Sequence, residues 1–122
     1  MELKQISILL FFLMFLYSGF NKIFNFNKKV INLELKTNLP YSINVFGLIL
    51  VILLEIIGSL IIILYFFDKN LIDKYIVKFV NILFLLFLIV VTFLYHPPTD
   101  KLIPFLSNLT TFSGLLYIYS DL

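Results

Sequence analysis

A chain of 122 residues is long enough for one ordinary soluble domain, but 61% hydrophobic and 13% charged residues leave far too little polar surface for one. Lipid can cover such a surface where water cannot, so the chain reads as an integral membrane protein with a single domain spanning residues 1–122. Its net charge of +2 comes from nine scattered lysines and no arginine, which argues against nucleic acid as a partner, and the absence of cysteine excludes disulfides, thiolate metal sites and cysteine redox chemistry.

Four apolar segments follow one another, and each approaches the length of about 20 helical residues that crosses a bilayer core. The first covers about residues 6–24. Lys4 precedes it as a thin basic flank, but no small-residue cleavage site follows, so it reads as an anchor and not a signal peptide. A connection over about residues 25–40 carries Lys28, Lys29 and Lys36; its Val30, Leu33 and Leu35 suggest that part of it lies on the membrane surface. The second segment, about 43–67, is INVFGLILVILLEIIGSLIIILYFF, with Glu55 as its single formal charge. A short charged connection with Asp68, Lys69, Asp73 and Lys74 leads to the third, about 76–95. His96-Pro97-Pro98 ends that helix, because proline removes a backbone donor and restricts the residue before it. The fourth, about 103–119, is diluted by Ser107, Asn108, Thr110, Thr111 and Ser113, and Tyr117 and Tyr119 suit an interfacial belt at its end. The glycosylation-like triplet Asn108-Leu109-Thr110 lies too near the membrane to serve as an acceptor.

The expected fold is an all-α membrane protein, a four-transmembrane-helix up-down bundle with both termini on one side. Lysine counts of four on the terminal side and five on the other do not orient it.

A carboxylate at the centre of a spanning helix costs roughly 2.5–3.5 kcal/mol on insertion scales, so Glu55 is the foremost candidate functional residue. At 100° per residue Asn44, Gly47, Glu55, Gly58 and Ser59 share one face of the second span, and Asn81, Thr92 and His96 one face of the third. Thr92 and His96 close the third span where Asn108 and Thr111 belong to the opening half of the fourth, and Ser18 and Lys22 close the first. The pattern predicts an interior that is polar in one half, with Glu55 at its floor. Glu55, Asn81, Thr92, His96, Asn108 and Thr111 form the expected buried polar site, and Lys22, beside Ser18, is the candidate charge partner of Glu55. For Glu55 the competing reading is a structural carboxyl hydrogen-bonded between helices. For Lys22 it is snorkelling outward, since pairing requires a reach of very roughly 10 Å toward the membrane centre. For His96 it is a polar helix cap, and for Asn81 an interhelical hydrogen bond. One histidine and one buried carboxylate make no metal or haem site, and no nucleophile–base pair is visible, so catalysis by the chain alone is not expected.

The stretch Phe15-Leu16-Tyr17-Ser18-Gly19-Phe20-Asn21-Lys22-Ile23-Phe24 resembles the first-helix signature of the DoxX family: an apolar run, Ser-Gly, a lysine three residues on and an aromatic. Leu54-Glu55-Ile56-Ile57-Gly58 is similar to that family's second-helix glutamate followed by small residues. His96, and Asn108 through Gly114-Leu115-Leu116, resemble its last two helices, and an arginine common in the first helix of relatives is absent here. The resemblance implies a four-helix bundle similar to subunits associated with thiosulfate:quinone oxidoreductase and quinol oxidase systems, with Ser18, Lys22, Glu55 and His96 at the matching positions. On that footing the expected function is a non-catalytic membrane subunit of a redox or respiratory complex, in a bacterial or mitochondrial inner membrane, partnered by the bilayer and by other membrane subunits. Its half-cavity would hold a quinone or lipid head group, with no covalent or metal-ligated cofactor. An assembly factor or scaffold is the alternative, and a small proton-coupled transporter is disfavoured because no inverted repeat is present.

Overall fold

The computed structural model describes residues 2–122 and is all-helical, with 84% of the chain in helices. Five helices follow in order: α1 (Leu3–Phe24), α2 (Phe26–Thr37), α3 (Tyr41–Phe67), α4 (Lys74–Tyr95) and α5 (Leu102–Ser120). Four of them, α1, α3, α4 and α5, are long and apolar enough to cross a membrane. Their outward faces carry Leu, Ile, Val and Phe side chains that are exposed in the isolated chain, as a lipid solvent requires.

Local chemistry sets the helix ends. Gln5 Oε1 accepts from the Glu2 backbone N–H at 3.0 Å, and Asp73 caps α4 by accepting from the Tyr75 N–H at 2.9 Å. Asn38, with φ 57°, takes the left-handed position that closes α2, and its N–H returns to the Glu34 carbonyl. Asp68 accepts from the Asn70 N–H in the tight link between α3 and α4.

The core lies where α1, α3 and α4 meet. Phe84 of α4 packs against Phe15 and Phe12 of α1 with ring centroids 4.8 and 5.5 Å apart, and all three rings are buried. Gly58 of α3 admits Phe84 and Val80: a Cβ there would stand 3.0 and 3.1 Å from them. Gly19 of α1 plays the same part on the other side, where a Cβ would lie 2.6 Å from Ile56 Cγ1. The last helix sits at the edge. It packs chiefly on α4, buries Leu115 and Ile118, and reaches α1 where Gly114 receives Phe11.

Two features depart from the sequence-based expectation. The connection after α1 is not a loop but the 12-residue helix α2, whose Val30 is fully buried and which packs mainly on α3. Phe26, Val30, Leu33 and Thr37 recur at helical spacing along its inner face. The second is a π-helical turn at Leu54–Gly58 within α3, centred on Glu55 and its neighbours. One extra residue in a turn rotates everything beyond it by about 100° relative to a regular helix, which face arithmetic at a constant angle does not register.

Candidate functional site

Glu55 sits in the π turn with its side chain 2% exposed. Lys22 reaches inward from the last turn of α1, and its Nζ stands 2.8 Å from Glu55 Oε1. At that distance the two form a buried ion pair. Lys22 Nζ also donates to Ser18 Oγ, one turn back on α1. The glycine crossing explains the reach: with no Cβ at Gly19, α1 and α3 approach until Glu55 Cβ is 3.3 Å from where that Cβ would be. The stem of Lys22 then spans the remaining depth, and the ammonium leaves its snorkelling route for a buried partner. An ammonium has three protons; with Ser18 taking one and Glu55 facing the nitrogen at ion-pair distance, one remains for a further acceptor.

Below Glu55, toward the α3–α4 connection, lie Ser59 and Asn81. Both are fully buried, and Ser59 Oγ, Asn81 Oδ1 and Asn81 Nδ2 have no hydrogen-bond partner among the described residues. Gly58 marks the level, since its neighbours across the crossing are Val80 and Phe84. Ser59 was visible from sequence only as a member of the Glu55 face; its position four residues on is the signal that would have placed it with the site.

Thr92 and Asn108 form a separate polar seam between α4 and α5. Asn108 Nδ2 donates to Thr92 Oγ1 at 3.1 Å, and Thr92 Oγ1 donates to the Leu88 carbonyl at 2.6 Å. Thr111 is half-buried and donates at 3.3 Å to the Ser107 carbonyl within its own helix. The seam borders an apolar cleft of about 130 Å³ lined by Leu88, Phe93, Phe105 and Phe112.

His96 does not belong to a buried site. It caps α4 with φ −136° and ψ 57°, and its side chain is exposed, because the two following prolines turn the chain away from the helix axis. Nor do the expected residues line one half-cavity. Thr92 and Asn108 bond to each other one helix away from Glu55, while Asn81 lies on the far side of Glu55 from them, about 16 Å along α4 from Thr92 by helical rise. The membrane face at which a half-cavity would open is instead crossed by α2. Thr37 Oγ1 donates to Asn44 Oδ1 at 2.7 Å, Asn44 Nδ2 donates to the Leu39 and Pro40 carbonyls, and Lys36 Nζ stands 5.7 Å from the Tyr95 ring centre. Among the described residues no three His, Asp or Glu side chains converge as a metal set.

Residues 8–97 match the sequence profile of the DoxX family, about three quarters of the chain. The chain belongs to the DoxX family. The matched stretch contains every residue of the Lys22–Glu55 cluster together with Ser59, Asn81, Thr92 and His96, and it ends before α5. No curated protein and no solved structure matches the chain. This DoxX protein is therefore an integral, multi-pass membrane protein of the four-span type, and its outward-facing apolar helices imply a bilayer around it.

Proposed function

We propose that this DoxX protein is a non-catalytic membrane subunit of a quinone-linked redox complex, in which the Lys22–Glu55 pair holds a quinone head group. The observation that carries the reading is a buried ion pair inside a spanning bundle, Lys22 Nζ 2.8 Å from Glu55 Oε1, whose ammonium has one proton beyond those facing Ser18 and Glu55. Intramembrane ionisable residues are costly and tend to mark functional paths. The donor set suits both redox forms of such a ligand: Lys22 donates to a quinone carbonyl, and Glu55 accepts from a quinol hydroxyl. A bound quinone would supply two-electron, two-proton carriage, with the metal or flavin chemistry residing in partner subunits. The π turn supports the reading, because such turns occur frequently at functional positions.

The alternative of an assembly factor or scaffold draws on the same cluster, since Lys22, Ser18 and Glu55 tie α1 to α3 beside the Gly19–Ile56 crossing. Native purification in mild detergent separates the two. A redox subunit co-migrates stably with an oxidase or dehydrogenase and carries quinone that Glu55→Gln and Lys22→Met reduce. Transient association without quinone points to the assembly role.

A further inference from the structure

At the membrane face opposite α2, where both chain ends lie, α1 and α5 touch at two levels and part between them. The upper contact is an ion pair, Lys4 Nζ to Asp121 Oδ2 at 2.8 Å. The lower is Phe11 seated on Gly114, where a Cβ would lie within 3.3 Å of three atoms of the ring. Phe11 is seven residues from Lys4, which sets the two levels about 10 Å apart along α1. The groove between them has a volume of about 390 Å³, with walls from Ile8, Phe11, Phe66 and Ile118 and with Ser7 and Tyr117 toward its open side.

The walls are apolar, so in a bilayer the groove takes hydrocarbon; open space would forfeit the dispersion contacts of every lining side chain. Its volume lies in the range of sites for single small ligands. The rim carries one cation and one anion. Among the described residues the pair uses one proton of Lys4 and one oxygen of Asp121, leaving two ammonium protons and Oδ1 for hydrogen bonds. Such a rim has no net charge to favour an anionic lipid. It matches a head group that itself holds a phosphate and a hydrogen-bonding cation.

We propose that the α1–α5 groove is a binding site for a phospholipid with a primary-amine zwitterionic head group, one acyl chain lying between Phe11 and Ile118. Its phosphate accepts from Lys4 and its ammonium donates to Asp121. A choline head group has no N–H to donate to Asp121, and a glycerol head group brings no cation. This site is separate from the Lys22–Glu55 cluster, so the two readings stand or fall independently.

The test is native mass spectrometry of the full chain, in detergent micelles doped with equimolar phosphatidylethanolamine, phosphatidylcholine and phosphatidylglycerol. The expected result is a single phosphatidylethanolamine adduct exceeding the other two by about tenfold. The double variant Lys4→Gln, Asp121→Asn should retain an adduct but lose the preference, and Ser7→Phe, which fills the groove, should lose the adduct. Equal retention of the three lipids by the wild-type chain, a preference for either of the other two, or an unchanged preference in the double variant would overturn the proposal.

Discussion

Lys22 and Glu55 meet across the α1–α3 crossing one turn beyond the point where Gly19 makes room for Ile56. The distance between the charges therefore depends on a contact that involves neither of them. Close helix approach in lipid needs small residues, since no hydrophobic force presses helices together there.

Removing one member of a buried ion pair leaves the other uncompensated, which typically costs about 3–5 kcal/mol. Lys22→Met should lower the thermal midpoint in detergent markedly, while the double variant Lys22→Met, Glu55→Gln should recover much of the loss. A double variant no more stable than the single one would show that the pair is not coupled in the folded state.

Gly19→Ala places a methyl 2.6 Å from Ile56 Cγ1, so the Ile56 side chain or the α1–α3 spacing must give way. Overpacking of this kind costs about 1–3 kcal/mol, and Ile56→Ala in the same chain should relieve it. Thermal melts of the two single variants and their combination read the coupling directly. Additive effects would place the strain elsewhere.

Asn81 buries both ends of its amide without a hydrogen bond among the described residues. Replacing an unsatisfied polar side chain by an apolar one of similar shape is neutral or stabilising, so Asn81→Leu should hold or raise the melting midpoint of the isolated chain. If the variant melts clearly lower, Asn81 has a polar partner contributed from beyond this chain's own side chains.

The hydrogen bond and charge of Lys4 hold the Asp121 carboxyl below its usual value of 3.8. A carboxyl whose folded value is depressed adds stability above its unfolded value and loses it as pH falls through the folded one. Melting curves of wild type and Asp121→Asn should differ at pH 6 and converge below about pH 4, modestly, since the pair is exposed. Curves that stay parallel down to acid pH would remove Asp121 as the titrating group.

The four spans were legible because each is a long apolar run with a physical terminator, and the observed ends fall within three residues of the expected ones. The depth of Glu55 was equally plain, one charge midway along such a run. Its partnership with Lys22 was legible as one of two readings, pairing or snorkelling outward, because the choice depends on which way a flexible side chain turns; the close approach at Gly19 favours the pair. The helix α2 carried a readable signal in Phe26, Val30, Leu33 and Thr37, but three lysines and a low apolar content made it look like a surface loop. His96 was misplaced because its helix ends at the preceding residue, so its extrapolated face had no helix to belong to. Membership of one face also said nothing about depth, which is why Asn81 and Thr92, on the same side of α4, serve different clusters.

The wide turn at Leu54–Gly58 divides α3 into two halves whose angular settings are offset by one residue. Deleting a single residue there would restore an unbroken α-helix with the Ser59–Phe67 half still on its present face; drawing the same residues into regular α turns without a deletion would swing that half about 100° around its axis. Ile62, Ile63 and Phe66 would leave the core for lipid while Glu55 stayed beside Lys22. The turn thus uncouples two tasks that one continuous helix would have to share: presenting a carboxylate to α1 above, and aligning an apolar seam with α4 below.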